Sequence, residues 1–428
     1  MQMKTKAQKI KLKLKQTREK RKSQVPKVFK LKLQNLSDKD IEVLSRLFLE
    51  AKWLYNYLIA DIPNRLNDEA WKLKEVQIKT PKGFEKRQLL LLGSQIKQGI
   101  VSRIKDSLKA LREAKEKGLK TGKLKFKSDV RSIPLKQYGI TFRLDFQENR
   151  VKVQGIKKKF RVLGLRQIPE SAEIAQAILV KKPSGFYLHV VCYLSKEEVL
   201  KELEDRKVPI PVGVDLGVSY QLTLTTGEKI KWYVSETKRL KRLQKILSRK
   251  KEGSRNYLKV KRLIQREYEY IKNRREDIKN KVVSYLKRFA FIAVQEDNIK
   301  SWHERLFGKQ VQNTGIGGIT ARLRRLATLI PVGFVDRFER TTQICFSCGH
   351  RQKVGLSERV FRCSRCGTEV DRDLNSAWNI LRLGLEKLKE KDKALADRLM
   401  SALPVDCGEV KPVEREVSSL VEAGSPSL

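Results

Sequence analysis

Histidine, cysteine and long apolar stretches are scarce in this chain of 428 residues. The three histidines, His189, His303 and His350, are too few and too scattered for a histidine-rich metal site or a catalytic triad. Six cysteines in a chain of this length do not indicate a disulfide scaffold. No apolar run reaches the roughly 18 residues of a membrane span, and the basic N-terminus lacks the apolar core of a signal peptide. We therefore expect a soluble, cytoplasmic protein that does not bind membranes.

Acidic residues are also few, since 49 Asp and Glu face 94 Lys and Arg, which gives a formal net charge of +45. This excess predicts a polyanionic partner, and its spread over several segments favours nucleic acid over a membrane surface. A ribosome-like structural protein is the alternative on charge alone. The length predicts two or three domains, because single hydrophobic cores stop growing well before this size.

Along the N-terminal half, a basic segment is followed by a predicted helical region and then by a predicted sheet region. Residues 1–22 carry ten Lys or Arg against one Glu, which predicts either a disordered arm that orders on RNA or a solubilising tail. A capping-box-like start at Ser37 and Asp40 opens an apolar-periodic helix. From about Ile140 the apolar period becomes two, which predicts strands, and a turn at 181–185 predicts a hairpin. The charged segment 196–207 follows as a domain boundary.

The second half begins with a buried-strand pattern that ends at Asp215 and is followed by a second strand near 221–225. Residues 238–288 contain 20 Lys or Arg against five acids, with leucines at helical spacing around a break at Gly253. Two long basic helices are therefore predicted, with an apolar stripe for packing and basic faces that could follow a nucleic-acid backbone.

Two CxxC pairs form the strongest local motif. Cys345 and Cys348 are followed after 14 residues by Cys363 and Cys366, and each pair precedes a glycine. Four thiolates at this spacing predict a tetrahedral Zn²⁺ site, and the glycines permit the tight turn at each pair. Four sulfur ligands leave no open coordination position, so the zinc is expected to be structural.

A second motif consists of acids where strands are predicted to end. Asp215 closes the first strand of the second half, and Asp371 and Asp373 lie just before a predicted helix near Asn375. Each acid alone could be a turn former or a helix cap. Cleavage of a phosphodiester by two metal ions requires several carboxylates that converge, and the order of these acids around the cysteines favours that interpretation.

These motifs together resemble those of the TnpB family, the transposon-borne relatives of type V CRISPR effector nucleases. The resemblance rests on Gly213–Gly217, on the two CxxCG segments and on the segment from Asp371 to Ala377. It extends to Trp53–Asn56 and to a C-terminal ending around Cys407 and Glu422. It therefore covers most of the chain and implies a prokaryotic protein.

The resemblance implies a fold, a set of domains and a metal site. The fold would be an α/β RNase H-like (RuvC) nuclease domain with an inserted zinc ribbon, preceded by a β-barrel-like wedge domain that carries a helical recognition lobe. Asp215 would be the first Mg²⁺-binding carboxylate and Asp373 the last. The expected boundaries are a basic arm at 1–22, the wedge at 23–36 and 126–200, the lobe at 37–125, the nuclease domain at 208–340 and 369–395, the ribbon at 341–368 and a tail at 396–428.

The middle carboxylate departs from the family pattern, because Gln295 stands where family members commonly carry glutamate. Glu296 could replace it by a one-residue shift, although that shift turns the side chain to the opposite face of a strand. Glu339, at the end of the next strand, could reach nearly the same space because neighbouring strands lie about 4.8 Å apart. A protein that has lost cleavage is the third interpretation.

The function implied by the resemblance is RNA-guided DNA cleavage by a monomer. Base pairing with a guide RNA would select a double-stranded DNA target beside a short adjacent motif, and hydrolysis would use Mg²⁺. The main alternative is a nuclease-inactive, RNA-guided DNA-binding repressor, which Gln295 favours. A transposase that acts by itself is disfavoured, because its catalytic motifs are not visible.

Overall fold

The computed structural model describes residues 6–67, 69–81, 83–204, 208–304, 307–355, 358–403 and 412–420. Cys407 and the segment around Glu422 lie outside these residues. The chain divides into two compact units, Met1–Val199 and Leu200–Leu428. The division falls inside the charged segment that the sequence predicts as a boundary.

The first unit combines a large antiparallel sheet with helices and a separate hairpin. Its helices are α1 (Lys6–Lys22), α2 (Asp38–Ala60), α3 (Ile62–Arg65) and α4 (Ser94–Glu116), and α5 (Lys196–Glu204) crosses into the second unit. Its strands are β1 (Gln24–Gln34), β2 (Glu75–Thr80), β3 (Gly83–Gln88), β4 (Ser132–Leu135), β5 (Phe142–Asp145), β6 (Arg150–Val153), β7 (Lys159–Leu163), β8 (Glu173–Lys182) and β9 (Gly185–Ser195).

Seven strands form the main sheet of this unit in the order β4-β8-β9-β1-β7-β6-β5. The predicted hairpin is present, since β8 and β9 pair antiparallel with Lys182 opposite Gly185. Alternate residues of these strands are buried, as the period of two predicts for a sheet with one covered face. Among the described strands no ladder joins the edges β4 and β5, so the barrel-like form of this domain stays a prediction.

Helix α2 covers this sheet with an apolar face. It begins at Ser37, whose hydroxyl accepts a hydrogen bond from the Asp40 amide while the Asp40 carboxylate accepts one from the Ser37 amide. The predicted capping box is therefore present. Leu44, Leu47 and Leu54 are fully buried, and they join the core cluster that includes the strand residues Leu31 and Leu188.

The basic N-terminal segment is a helix over Lys6–Lys22, which corrects the prediction of a disordered arm for these residues. Lysine and arginine have good helix propensity, so charge density alone does not prevent a helix. The end of the helix is also anchored to the sheet. Arg21 donates to Glu173 at 2.7 Å and lies 3.4 Å from the centre of the Tyr193 ring.

The second unit contains a six-stranded sheet, basic helices and a small two-stranded ribbon. Its strands are β10 (Val208–Asp215), β11 (Leu222–Leu224), β12 (Glu228–Lys231), β13 (Phe289–Gln295), β14 (Val332–Val335), β15 (Val360–Arg362), β16 (Glu369–Asp371) and β17 (Val413–Glu416). Its helices are α6 (Lys238–Ser248), α7 (Arg255–Leu286), α8 (Ile299–Glu304), α9 (Gly308–Thr314), α10 (Gly317–Leu326), α11 (Arg372–Lys389) and α12 (Lys393–Ser401).

The order of the six strands is β14-β13-β10-β11-β12-β17. Strands β10, β11 and β12 form an antiparallel meander, while β13 and β14 lie parallel to β10 on its other side. Strands that follow β10 in the sequence thus lie on both sides of it in the sheet. Open α/β sheets bind ligands at the carboxyl ends of their parallel strands.

The two predicted basic helices are α6 and α7, separated by Gly253 and capped by Thr237 and Ser254. Leu240, Leu243, Ile264 and Ile271 form a small apolar cluster of these two helices. In the part of the chain that the structure describes, no helix has both the length and the apolar character needed to cross a membrane.

Candidate functional site

Asp215 is the last residue of β10, and Gln295 is the last residue of the neighbouring strand β13. The two strands are parallel, with Val214 opposite Val294, so their carboxyl ends meet at one edge of the sheet. The sequence prediction that Asp215 lies at a strand end is confirmed.

Helix α11 lies unusually close to β10 because Gly213 has no side chain. A Cβ atom at this position would lie 2.1 Å from the backbone oxygen of Ala377 and 2.8 Å from the Cβ of Leu381. The reverse contact occurs at Gly384, where a Cβ would lie 2.6 Å from the Cβ of Ala293. These glycines let α11 lie directly against β10 and β13.

The first turn of α11 brings two further acids to this edge, and each has a different task. Asp371 caps the helix, since its carboxylate accepts hydrogen bonds from the amides of Asp373 and Leu374 at 3.0 and 3.1 Å. The Asp373 carboxylate does not cap the helix. The buried Lys229 donates to Asp371 at 2.6 Å, and its Nζ lies 3.6 Å from the Asp373 carboxylate.

The Asp215 carboxyl is the most perturbed acid of the group. Burial raises its pKa well above the usual range, and the negative charges of Asp373 and Asp297 raise it further, while a hydrogen bond with Ser376 opposes the shift. Asp215 makes no ion pair with any described residue. The positive charge of Arg372 also opposes the shift without forming an ion pair with Asp215. A half-buried carboxylate beside other acids favours a bound cation.

Asp297 is the acid that the sequence reasoning missed. It lies two residues beyond the end of β13 and is half-buried, and burial raises its pKa to about 6. Its charge acts on Asp215. No periodic pattern continues past the end of a strand, so the sequence gives only one signal, the acidic pair Glu296-Asp297 at a predicted strand end.

The two candidate glutamates lie in different environments. The Glu296 carboxylate forms an ion pair with Arg324 of α10 at 2.7 Å, so the structure does not bring it together with Asp215 and Asp373. The alternation of a strand explains this, because Gln295 and Glu296 point to opposite faces. Glu339 lies in the loop after β14, is exposed, and its carboxylate makes no hydrogen bond or ion pair with the residues that the structure describes.

The four predicted zinc ligands converge. The Sγ atoms of Cys345 and Cys366 are 3.7 Å apart and those of Cys348 and Cys363 are 3.6 Å apart, and all four sulfurs lie within 4.8 Å of one another. A tetrahedral site with Zn–S bonds of about 2.3 Å requires sulfur separations of about 3.8 Å. The cluster can therefore hold a metal ion.

The two cysteine turns share one backbone geometry. The amides of Gly349 and Gly367 donate to the carbonyls of Cys345 and Cys363, and both glycines have a φ of +73°. This is the left-handed region that glycine adopts without strain. The role that the sequence predicts for these glycines is confirmed.

Two asparagines of α11 fasten the cysteine segment to the helix that carries Asp373. Asn375 accepts a hydrogen bond from the Phe346 amide at 2.9 Å and donates to the Ile344 carbonyl at 2.8 Å. Asn379 donates to the carbonyls of Thr341 and Ile344 at 2.9 and 2.6 Å. Both asparagines are fully buried. Asn379 was not found from the sequence.

The cysteines are the one group of three or more His, Cys, Asp or Glu residues whose ligand atoms lie within metal-binding distance among the described residues. The carboxylates at the edge of the sheet act on one another electrostatically but do not meet that criterion. Without a cation, mutual repulsion keeps such groups apart.

Two separate parts of the chain match family models. Residues 191–290 match the model described as "Probable transposase", and residues 326–380 match "Cas12f1-like, TNB domain". The second match contains all four cysteines and the start of α11. Curated relatives include "TnpB-like protein L79" of Acanthamoeba polyphaga mimivirus, 28% identical over 36% of this chain and 31% of the relative. Over these segments the chain is similar to proteins of the TnpB family.

Two bacterial relatives match longer parts of this chain. The protein of Streptomyces pristinaespiralis named "Putative RNA-guided DNA endonuclease" is 30% identical over 51% of the chain and 55% of the relative. A protein of Escherichia coli (strain K12) with the same name and the suffix InsQ is 28% identical over 50% of the chain and 55% of the relative. The matched region thus spans about half the length of these relatives.

Among solved structures, the chain resembles the protein in the cryo-EM structure of the Cas12f1-sgRNA-target DNA complex. The TM-score is 0.47 at 13% identity, and the match covers 84% of this chain and 99% of that protein.

Proposed function

We propose that this chain is an RNA-guided endonuclease of the TnpB family that hydrolyses DNA phosphodiester bonds at the carboxyl ends of β10 and β13. The observation that carries the proposal is the half-buried Asp215 carboxyl at the end of β10, whose pKa is raised by burial and by the neighbouring charges of Asp373 and Asp297. Strongly perturbed carboxyls in a crevice of the sheet are typical of catalytic sites. The strand order around β10 supports the RNase H-like (RuvC) assignment of this domain.

Asp215, Asp373 and Glu339 are proposed to hold Mg²⁺, and Asp297 adds negative charge to the same place. The donor set fits the ion, because Mg²⁺ is bound through oxygen and Asp215 forms no ion pair with the described residues. Bound Mg²⁺ would supply an activated water and neutralise charge on the phosphate. The chain's own task is to bring carboxylates from β10, α11 and the loop after β14 to one point.

The cysteine cluster is proposed to be a structural zinc ribbon. Its four thiolates match the ligand set of closed Zn²⁺ sites, and the sulfur separations of 3.6 and 3.7 Å match a tetrahedron. Through Asn375 and Asn379 the ribbon holds the first turns of α11, on which Asp373 lies.

The first unit is proposed to bind the guide RNA and the DNA beside the target. Exposed Phe84 and Phe126 lie near Lys52 and Arg65 in one groove of this unit. Aromatic rings between basic side chains suit unpaired bases and their phosphates. In this proposal the first unit contains the helical recognition lobe and reads the short adjacent motif, and the protein acts as a monomer.

Cleavage by the assembled complex tests the function. The chain is co-expressed with the DNA that flanks its gene, the co-purifying RNA is sequenced, and a plasmid library with the matching target beside randomised bases is the substrate. Asp215→Asn should reduce Mg²⁺-dependent cleavage at least about a thousandfold, as expected for loss of a metal-binding acid, while plasmid binding is retained.

The same variant has a stability readout. Asp215→Asn removes a buried charge, so the metal-free protein should become more stable at neutral pH by about 1–3 kcal/mol and should lose most of its stabilisation by Mg²⁺. Unchanged cleavage by Asp215→Asn would exclude the mechanism. Binding without any cleavage by the wild type would support the repressor instead.

Three further variants identify the remaining acid. Glu339→Gln should cause a loss comparable to Asp215→Asn, and Asp297→Asn a smaller one. Glu296→Gln is the matched control, because its carboxylate is already paired with Arg324. Full loss in Glu296→Gln together with normal cleavage by Glu339→Gln would reverse the assignment.

A further inference from the structure

Gln295 is buried at the end of β13 and makes three side-chain hydrogen bonds. Its Nε2 donates to the backbone carbonyls of Asp336 and Glu339 at 3.1 and 2.8 Å. Its Oε1 accepts from the hydroxyl of Thr341 at 3.0 Å. All of these partners belong to the loop that follows β14, so one side chain holds both ends of the segment that carries Glu339.

The contacts continue from this loop to Asp215. The Thr341 hydroxyl lies 2.9 Å from the hydroxyl of Ser376 on α11, and the Ser376 hydroxyl is near enough to the Asp215 carboxyl to lower its pKa. Gln295, Thr341 and Ser376 are 6%, 3% and 0% exposed. A buried row of hydrogen-bonded polar side chains therefore leads from the loop of Glu339 to Ser376, which lies beside the first acid of the proposed site.

The hydrogen bonds at position 295 require the side-chain amide of a glutamine. Both Nε2 protons are used by carbonyl oxygens, which only accept hydrogen bonds. An ionised glutamate would bring a negative oxygen against these carbonyls and leave them without a donor, at a buried position where unpaired groups are costly. A glutamate here is therefore incompatible with the observed loop.

We infer that Gln295 is a positioning residue, whose amide holds the Glu339 loop in the conformation that completes the proposed acidic site. The inference rests on the proposed function, because it assigns Glu339 to that site. It has a counter-intuitive consequence: Gln295→Glu, which restores the acid common in the family, should damage the site instead of repairing it.

Hydrogen exchange of the metal-free protein tests the loop directly. Gln295→Met removes the amide at nearly constant volume and should accelerate exchange of the amides in 336–341 at least about tenfold, because the loop loses its anchors. Glu296→Gln, the neighbouring residue on the opposite face, should leave them unchanged. Unaltered exchange in Gln295→Met overturns the inference, whatever the chain cleaves.

Metal binding, with Mn²⁺ as the probe, tests the connection to the site. Gln295→Met and Gln295→Glu should each weaken Mn²⁺ binding about 10- to 100-fold, the usual effect of losing a group that orients a metal ligand. In a protein that already carries Glu339→Gln, adding Gln295→Met should weaken Mn²⁺ binding by less than about threefold further, since the carboxylate that Gln295 positions is already absent. Mn²⁺ binding or cleavage by Gln295→Glu at or above the wild-type level overturns the inference.

These outcomes separate the two proposals. If the wild type binds no Mn²⁺ while Gln295→Met still loosens the loop, the proposed nuclease site fails and Gln295 is only a structural anchor. If Asp215→Asn abolishes cleavage while both Gln295 variants bind Mn²⁺ normally, the nuclease stands and the positioning role fails.

Discussion

His189 lies on β9 opposite Lys30 of β1, and its Nε2 is buried without a hydrogen-bond partner among the described residues. Burial, together with the charges of Lys182 and Lys30, lowers its pKa to about 4. The imidazole is therefore neutral in the folded state at pH 5, while an unfolded histidine with a pKa of about 6.5 is protonated. The first unit carries a built-in sensitivity to acid.

The sign of this effect follows from proton linkage. The folded pKa is below the unfolded one, so stability from this group is full above about pH 6.5 and is lost as the pH falls towards 4. Between pH 7 and pH 5 the loss should be about 2 kcal/mol. His189→Leu should remove this part of the pH dependence in urea unfolding at the two pH values.

His303→Leu is the control for this measurement, because His303 is exposed on α8. Its pH dependence should equal that of the wild type. An equal loss of stability in His189→Leu and in the wild type would contradict the explanation.

At the scale of single residues, the sequence was sufficient where a residue has one local task. The capping box at Ser37, the glycines after each cysteine pair and Asp215 at a strand end all follow from local patterns. Asp297 and the bonds of Gln295 do not, because they depend on which strands are neighbours and where a side chain points after a strand has ended.

At the scale of elements, the cysteine ribbon has a small apolar core of its own. Among the described residues, its buried cluster consists of Cys345, Cys363 and Phe361, with Cys348, Val354 and Val370 partly buried against it. An apolar core of this size cannot offset the conformational entropy of folding, so ligand binding must supply the difference.

Loss of the metal should therefore unfold the ribbon and weaken its attachment to α11. Cys363→Ser is expected to reduce zinc from about one ion per chain to a small fraction, as measured by mass spectrometry of the purified protein. Hydrogen exchange should rise across 341–368 and in the first turns of α11. Ser347→Ala, an exposed position between two ligands, should keep its zinc; full zinc content in Cys363→Ser would contradict the site.

The elements themselves were largely predictable. The basic helices, the break at Gly253 and the hairpin between β8 and β9 all agree with the periodicities. The prediction of a disordered arm is wrong for residues 6–22, because charge density does not outweigh helix propensity there. The anchoring contacts of Arg21 with Glu173 and Tyr193 cannot be seen in the sequence.

At the scale of the whole molecule, the net charge of +45 predicts that binding of nucleic acid depends strongly on salt. If six to ten phosphates are contacted, affinity should fall by about 10³ to 10⁵ between 50 and 200 mM salt. The measurement is the affinity for the co-purified RNA at several salt concentrations.

Two matched double variants test whether helix α7 contributes to this salt dependence. Lys259 and Lys272 are exposed on the basic helix α7, and changing both to Gln should reduce the slope of log K against log salt by about 1.5. Lys391 and Lys393 are equally exposed but lie among acids near α12. Their double change should leave the slope unaltered, and equal effects of both pairs would argue against α7 as a binding face.

The acids of the proposed site are synthesised at different times, and the cysteine ribbon is made between Glu339 and Asp373. Asp215 leaves the ribosome 158 residues before Asp373, a delay of about 8 to 30 s at usual rates of synthesis. During this delay the nascent chain gains Asp297 and Glu339 but still lacks the last acid, and the cysteine segment is made before that acid. The order of synthesis therefore delays assembly of the proposed cutting site until the ribbon has been made.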